Sequence, residues 1–279
     1  MKYVTDLTEK GKYYSNIIFN IHKIKEMTNN KINQLYRLIR GLEDIIYPPR
    51  CVVCDRILSY GKQIHPECER QLYPVPNTVC MHCGSPVEGR REFCYDCNRK
   101  NTRIRNYMQE ETFRQGKALY IYKGKIKDTM YRFKYSNKRE YAEFFAEQAT
   151  KRYGAWIKAK GIDAIMAVPM YRGKKKKRGY NQAEVFARAL SQKLGIPYVA
   201  NGIVRVKNTT PMKNLNDLER ERNLKNAFQI RENIVQYYYI LVVDDIYTTG
   251  STADAVSKVM LKCGGKTVYF LSICTGQGY

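Results

Sequence analysis

Residues 237–252 decide the fold, and they read Tyr237-Tyr238-Tyr239-Ile240-Leu241-Val242-Val243-Asp244-Asp245-Ile246-Tyr247-Thr248-Thr249-Gly250-Ser251-Thr252. The aromatic and β-branched run up to Val243 predicts a buried strand. The two acids follow at its C-terminal end, which is where open parallel sheets place their ligands. The hydroxyl-rich turn then opens a helical stretch from Ala253 to Leu261. We therefore expect a strand, a polar turn and a helix in direct succession.

The turn has the composition of a phosphate-binding cup. Its backbone N–H groups and hydroxyls can point to one place, at the positive end of a helix dipole. The carboxylates of Asp244 and Asp245 lie beside it, and they can hold hydroxyls or a metal. Together these groups predict a phosphorylated sugar ligand. A purely structural connection remains the alternative, because Ser, Thr and Asp also favour helix caps and turns for local reasons.

Strand-like and helix-like stretches alternate over the second half of the chain. The predicted strands are 118–122, 163–170, 198–206 and 266–275, and the predicted helices are 126–133, 139–160 and 181–194. Asn181 is a good N-cap for the last of these helices, and Glu184 completes a capping pair. This alternation predicts an α/β fold with a doubly wound parallel sheet. Right-handed crossovers then bring the loops that follow the strands to one edge.

A cysteine-rich module precedes this domain, and seven of the nine cysteines lie in it. Its four knuckles are Cys51-x-x-Cys54, His65-x-x-Cys68, Cys80-x-x-Cys83 and Cys94-x-x-Cys97. A two-residue gap lets two ligands of one tight turn face a single ion, so four knuckles predict two structural Zn²⁺ sites. Too few apolar residues separate the knuckles for a core, and we expect zinc to supply most of the folding energy.

Several readings of this module stay open. Sequential pairing of the knuckles is expected, although interleaved pairing fits the same spacing. The quartet of Cys80, Cys83, Cys94 and Cys97 is complete, whereas the first quartet depends on His65, so a ribbon with one working site is an alternative. Disulfides are disfavoured because seven cysteines cannot all pair and a cytosolic chain stays reduced.

Composition narrows the class of protein. The chain has 49 basic and 26 acidic side chains, a formal net charge of +23. Such a balance attracts polyanions, including nucleic acid and phosphate-rich ligands. No apolar run approaches the roughly 20 residues that a membrane span needs. The start of the chain lacks the apolar core and the cleavage site of a signal peptide, so we expect a cytoplasmic protein without a membrane span.

The chain is expected to fall into three parts. Residues 1–46 carry apolar positions at helical spacing and predict a helical extension. Pro48-Pro49 ends it and leads into the zinc module, predicted at 47–98. Residues 98–106 have the composition of a linker, and the α/β domain is predicted at 107–279.

The motifs, taken in order, resemble the ComF family, also called GntX-like, over residues 43–279. The resemblance is carried by the acid pair with its turn and by segments listed from the start of the chain: Pro48-Pro49-Arg50-Cys51, Phe133-Lys134-Tyr135, Val168-Pro169-Met170, Arg178-Gly179-Tyr180-Asn181-Gln182-Ala183 and Asn223-Leu224-Lys225-Asn226-Ala227-Phe228. Members of this competence-associated family have a double zinc ribbon before a type I phosphoribosyltransferase domain. The resemblance therefore implies a ligand, phosphoribosyl pyrophosphate (PRPP), bound with Mg²⁺.

The resemblance also implies roles for residues. Asp244 and Asp245 contact the ribose hydroxyls, and the 5′-phosphate is held by Thr248, Thr249, Gly250, Ser251 and Thr252. The pyrophosphate falls to Arg172, Gly173 and Arg178, in a basic segment that we expect to be a loop. Residues 207–222 take the place of the lid that closes over the sugar, with a short helix beginning at Asp217. The zinc ligands are Cys51, Cys54, His65, Cys68, Cys80, Cys83, Cys94 and Cys97, although the family usually has cysteine where this chain has His65.

Two functions follow from these expectations. The first is a PRPP-dependent phosphoribosyltransferase linked to DNA uptake. The second is a non-catalytic DNA-handling module that uses the ribbon and the basic surface, with single-stranded DNA and competence proteins as partners. Pyrophosphate release would favour the enzyme, and salt-sensitive DNA binding without turnover would favour the module.

Overall fold

Strands and helices alternate along the part of the chain that the structure describes. This computed structural model describes residues 48–99, 113–209, 217–231, 236–264 and 267–276. The elements, in chain order, are α1 (Pro66–Glu69), β1 (Gln115–Ile121), α2 (Ile126–Tyr135), α3 (Tyr141–Ala159), β2 (Ala164–Ala167), α4 (Arg172–Arg178), α5 (Gln182–Leu194), β3 (Ile203–Arg205), α6 (Asp217–Leu224), β4 (Phe228–Ile230), β5 (Tyr239–Tyr247), α7 (Ser251–Lys262) and β6 (Thr267–Thr275). The predicted extension of residues 1–46, most of the predicted linker and residues 210–216 of the predicted lid lie outside the described residues.

The main sheet is parallel and has the strand order β1-β6-β5-β2. β5 is a central strand, and its Val242 lies opposite Phe270 of β6 and Met166 of β2. Its ladder with β6 continues past the acids to Tyr247, opposite Thr275. The predicted strand therefore exists but extends further, and the acids lie inside it instead of just after it.

Both faces of the sheet are covered. Ile240 and Val242 of β5 belong to one buried cluster with Val256 and Met260 of α7. Leu241 and Val243 of β5 point to the other face, because side chains alternate along a strand, and they too are fully buried. The helices α3 and α5 pack against each other, and α5 contacts β2 and β5 of the sheet. The predicted doubly wound parallel sheet is confirmed.

One predicted strand is wrong in extent and in partner. The sequence predicted a strand over 198–206, but only Ile203–Arg205 forms one, and it pairs antiparallel with β4 in a separate two-stranded sheet. Tyr198 makes a single parallel bridge to Ile165 at the edge of the main sheet. Asn201 interrupts the run because its backbone is left-handed, with φ at 58°. The helices predicted over 126–133, 139–160, 181–194 and 253–261 are confirmed with small shifts at their ends.

The described residues fall into two compact units: a smaller one of residues 48–51 and 55–63, and a larger one of residues 52–54 and the described residues from 64 onward. In the described part of the smaller unit, Arg50 and Ile57 form an antiparallel bridge. The Arg50 guanidinium donates to the carbonyl of Asp55, where the chain turns with a φ of 61°. The larger unit contains the main sheet and the loops at its carboxyl edge.

Within the larger unit, the zinc module pairs with β1 through backbone hydrogen bonds. The Val75 N–H donates to the Leu119 carbonyl at 2.9 Å, and the Gly116 N–H donates to the His82 carbonyl at 2.6 Å. Such contacts cover an edge strand that would otherwise expose unpaired groups. The fit is tight, since a Cβ on Gly84 would lie 2.5 Å from the Gly116 carbonyl oxygen.

Candidate functional site

The loop between β5 and α7 has the geometry of an anion cup. Gly250 is the N-cap residue of α7 and has a left-handed backbone, with φ at 79°. The first N–H groups of an α-helix lack intrahelical acceptors and lie at the positive end of its dipole. The Thr249 and Ser251 hydroxyls lie 3.1 Å apart beside them. The loop therefore combines backbone donors and hydroxyls as the sequence predicted.

A cavity opens at this loop. Its lining consists of Asp244, Ile246, Tyr247, Thr248, Thr249, Gly250, Ser251, Thr252, Ala253 and Phe270. The structure thus brings Asp244 together with all five residues that were assigned to the 5′-phosphate. Asp245 is not among the lining residues, because its carboxylate is directed to another partner.

That partner is Lys134, at the C-terminal end of α2. Its Nζ lies 2.8 Å from Oδ2 of Asp245, and both side chains are about one-fifth exposed, at 20% and 18%. The Asp245 N–H donates to Oδ1 of Asp244 at 2.8 Å, so the two acids are also linked. Sequence analysis named Lys134 only as part of a motif. Its link to Asp245 depends on how α2 packs, and no local pattern carries that information.

The two acids differ in their electrostatics. Burial, followed by the charge of Asp245, raises the pKa of Asp244 to about 8. Lys134 and Arg205 act in the opposite direction on Asp244. Burial alone lowers the pKa of Lys134, but the attraction of Asp245 and Asp244 outweighs it and leaves that pKa raised. Lys134 therefore remains an ammonium ion at neutral pH.

Arg205, at the end of β3, is a second cation near the acids that the sequence did not single out. Burial lowers its pKa, and the charge of Asp244 partly reverses that effect. Its guanidinium lies over the Phe228 ring, 5.4 Å from the centroid, and donates to the Thr209 hydroxyl. Its Nε is buried without a hydrogen-bond partner among the described residues.

Tyr247 supports the cup from below. A Cβ on Gly250 would lie 2.3 Å from its hydroxyl oxygen, so only glycine fits at that position. Tyr247 is itself held by Phe113 and Phe270, with ring centroids 6.2 and 5.7 Å away. The loop therefore rests on a packed aromatic floor.

The residues assigned to pyrophosphate lie on a helix, and the expectation of a loop was wrong. Arg172, Gly173 and Arg178 belong to α4, which ends at Gly179 with a left-handed φ of 88°. Lysine and arginine are good helix formers, and a glycine at this position terminates a helix. None of the three lines the cavity at the loop. Their role in binding pyrophosphate stays a prediction.

Arg178 has structural partners on two neighbouring helices. Its guanidinium donates to the Gln182 amide oxygen at 2.8 Å and lies over the Tyr135 ring, 4.9 Å from the centroid. Lys174, on the same helix, donates to the Thr209 carbonyl at 3.0 Å.

The predicted capping pair of α5 forms only in part. The Asn181 side chain accepts from the Ala183 N–H, but the Glu184 carboxylate pairs with Lys175 and Arg188.

The second cysteine quartet has the geometry of a zinc site. Cys80, Cys83, Cys94 and Cys97 are all buried, and their sulfur atoms lie within 4.8 Å of one another. The Cys83 and Cys94 sulfurs are 3.6 Å apart. Tetrahedral Zn²⁺ with bonds of about 2.3 Å requires sulfurs about 3.8 Å apart, so the four residues fit this ion. The four thiols interact closely: hydrogen bonds, that of Cys83 first, lower the pKa of Cys80, whereas hydrogen bonds from Cys80 raise the pKa of Cys83 and of Cys97.

Three members of the first quartet lie in the larger unit, and they also fit a zinc ion. Cys54, His65 and Cys68 each offer one ligand atom, and these atoms lie within 4.8 Å of one another. Cys51 stays a predicted fourth ligand. The Cys54 sulfur and Nδ1 of His65 are 3.4 Å apart. The two groups correspond to sequential pairing of the knuckles, and His65 is directed toward the thiols as its spacing predicted.

His82 connects the second quartet to the aromatic floor, and sequence analysis missed it. Its Nδ1 lies 3.4 Å from the Cys97 sulfur, and its Nε2 lies 2.9 Å from the Phe113 carbonyl oxygen. Its ring stacks on Phe113 at 4.4 Å. Because Phe113 also packs against Tyr247, contacts run from the second cysteine quartet to the loop between β5 and α7. The position of His82 between two ligand cysteines was the available signal.

Known proteins place this geometry in a family. The double zinc ribbon domain family matches residues 42–98. Competence protein F of Haemophilus influenzae is 31% identical, in an alignment that covers 77% of this chain and 92% of that protein. The chain belongs to the competence protein F family. Competence protein ComFC of Bacillus subtilis is 25% identical, in an alignment that covers 77% of this chain and 89% of that protein.

Other relatives have a different name. DNA utilization protein YhgH of Salmonella typhimurium is 26% identical over 71% of this chain and 84% of that protein. Among solved structures, an adenine phosphoribosyltransferase aligns with 46% of this chain and 69% of its own, with 17% identity and a TM-score of 0.30. Within the described residues, no helix has both the length and the apolar character to cross a bilayer.

Proposed function

We propose that the protein binds PRPP together with Mg²⁺ and uses it as the donor in a phosphoribosyl transfer. The observation that carries the proposal is the cavity that joins Asp244 to the cup of residues 248–252. A phosphate bound at the start of α7 would direct the attached sugar toward the carboxyl end of β5. That edge of a parallel sheet is the usual position for ligands.

The residues divide the ligand among them. In this proposal the N–H groups and hydroxyls of the cup bind the 5′-phosphate, and Asp244 accepts hydrogen bonds from the ribose hydroxyls. When bound, Mg²⁺ would neutralise the charge of the pyrophosphate, with the acid pair close by. Departure of pyrophosphate leaves an electron-poor sugar, so exclusion of water protects it from hydrolysis. The predicted lid begins at Lys207, next to the hydrogen bond that joins Lys174 to Thr209.

Isothermal titration calorimetry with PRPP and Mg²⁺ tests this proposal. We expect wild-type protein to bind, and Asp244→Ala combined with Asp245→Ala to abolish the heat. Asp128→Ala is the control, because its carboxylate is exposed and pairs only loosely with Lys125 at 3.9 Å. Ribose 5-phosphate should compete and free ribose should not. Binding that survives the loss of both Asp244 and Asp245 would discredit the site.

We propose DNA handling as a second candidate function, because one surface combines aromatic rings with cations. Tyr131 and Tyr135 of α2 are 63% and 62% exposed, and their ring centroids lie 5.0 Å apart. The Arg178 guanidinium covers one face of Tyr135. Exposed rings beside cations form stacking platforms for single-stranded nucleic acid. The net charge of +23 adds long-range attraction.

Fluorescence anisotropy with a labelled oligothymidine tests the second candidate. Stacking on a ring is worth about 1–3 kcal/mol per base, so Tyr131→Ala with Tyr135→Ala should weaken binding by about tenfold or more. Tyr60→Ala is the control, since Tyr60 is 78% exposed but lies in the smaller unit. Affinity should fall steeply with salt. An affinity that is insensitive to both salt and the tyrosines would exclude this surface.

A further inference from the structure

The acid pair has a built-in counter-ion. Lys134 Nζ lies 2.8 Å from Asp245 Oδ2, the distance of a charge-assisted hydrogen bond. The attraction of both aspartates outweighs the burial of the lysine and keeps it charged. Lys134 thus pairs with Oδ2 of Asp245, an oxygen that could otherwise bind a metal ion.

The position of Lys134 is fixed by the packing of α2. The carbonyl of the preceding residue, Phe133, accepts hydrogen bonds from the Gln182 amide at 3.1 Å and from the Tyr180 hydroxyl. The Phe133 ring is fully buried and packs against Phe145 at 5.7 Å. The end of α2 is therefore anchored to α5 and α3, and the lysine does not reach the acids merely as a flexible surface side chain.

Asp245 is the member of the acid pair that has a direct counter-ion. Lys134 contacts its carboxylate, and Arg205 attracts Asp244 from the end of β3. Asp244 holds its proton more strongly, because burial and the charge of Asp245 raise its pKa to about 8. A carboxylate without a counter-ion would attract a divalent cation directly, whereas a compensated one does so only weakly.

We propose that Lys134 is a positioning residue that holds Asp245 and keeps free divalent cations out of the acid pair. The inference stands on the ion pair between Lys134 Nζ and Asp245 Oδ2. It does not depend on the proposed PRPP function.

Binding of Mn²⁺ alone, measured by electron paramagnetic resonance on the zinc-loaded full chain, tests this proposal. Wild-type protein should bind Mn²⁺ weakly. Lys134→Met should bind it about tenfold more tightly or better, because one positive charge is removed next to the metal position. Lys134→Arg keeps the charge and should behave like wild type. Adding Asp245→Asn to Lys134→Met should abolish the gain, which locates it at the pair.

Lys151→Met is the matched control, because Lys151 forms an exposed ion pair with Glu147 at 2.6 Å on α3. It should leave Mn²⁺ affinity unchanged. Lys134→Gln provides a polar variant of similar length if the methionine variant does not fold. An equal Mn²⁺ affinity in wild type and in the folded Lys134 variant would overturn the proposal, as would a gain that persists with Asp245→Asn.

PRPP titration of the same proteins separates this proposal from the proposed function. If wild-type protein fails to bind PRPP, the ligand assignment fails, but the Mn²⁺ result still decides the role of Lys134. If wild type binds PRPP and Lys134→Met gains no Mn²⁺ affinity, the ligand assignment stands and the exclusion of free metal is refuted.

Discussion

Replacement of Gly250 by alanine tests whether the cup and its aromatic floor form one rigid unit. The added Cβ would lie 2.3 Å from the Tyr247 hydroxyl oxygen and 2.9 Å from its Cζ. Tyr247 is only 6% exposed and is packed between Phe113 and Phe270, so it cannot swing aside. The backbone is also unfavourable for alanine, because φ is 79°.

Two costs add at this position. A left-handed backbone costs a residue with a Cβ about 1–2 kcal/mol. Overpacking of a filled interior costs about 1–3 kcal/mol more. The sum is about 2–5 kcal/mol, and 1 kcal/mol lowers the melting temperature of a domain of this size by about 2–4 °C. We expect Gly250→Ala to lower the melting temperature accordingly and to weaken PRPP binding by at least about tenfold.

Thermal unfolding and calorimetry on paired variants separate the two costs. Gly195→Ala is the control for the backbone, because Gly195 has a φ of 68° and no atom within 4 Å of an added Cβ. Gly195→Ala should lower the free energy of unfolding by about 1–2 kcal/mol and leave the affinity for PRPP unchanged. Tyr247→Phe combined with Gly250→Ala removes the closest contact and should recover part of the loss. The reasoning is refuted if Gly250→Ala is no more destabilising than Gly195→Ala and binds PRPP as wild type does.

Three further predictions concern the acids and the zinc module. The pKa of Asp244 is raised to about 8 in the folded protein, so the unfolded chain loses this proton at lower pH, and the free energy of unfolding should fall as pH rises from about 4 to about 8. Asp244→Asn should flatten this part of a profile of melting temperature against pH and should stabilise the protein near pH 8. An unchanged profile would contradict the raised pKa. Chelation of zinc should weaken PRPP binding by about tenfold, or about 1.4 kcal/mol, in calorimetry, because His82 and Phe113 link Cys97 to Tyr247; full PRPP affinity in zinc-free protein would show that the link carries no energy. Gly84→Ala should destabilise the protein more than Gly89→Ala in thermal unfolding, because both glycines have positive φ but only a Cβ on Gly84 would meet backbone, at 2.5 Å. Equal decreases in melting temperature would show that the zinc module moves away from β1 without cost.

Much of the site could be predicted because its parts are local in sequence. Asp244 and residues 248–252 follow one another along a strand, a turn and a helix, so their relative positions are set by the backbone of one short segment. The same holds for each zinc knuckle, where a two-residue gap fixes two ligands in one turn. These patterns predicted the acids at the sheet edge, the cup and the grouping of His65 with Cys54 and Cys68.

Other features could not be predicted because their partners are distant in sequence. Lys134 reaches Asp245 only through the packing of α2 on α5, and Arg205 comes near Asp244 only because β3 pairs with β4 in a separate sheet. His82 gains its place from the pairing of the zinc module with β1.

The sequence by itself thus determined the parallel sheet, the hydroxyl-rich loop at the start of α7 and the cysteine knuckles, since periodicity and short spacings govern them. The tertiary structure alone decided which cations face the acids and what supports the loop. The physical reason is that burial and charge depend on every element packed around a group, and that packing brings together residues that no local pattern relates.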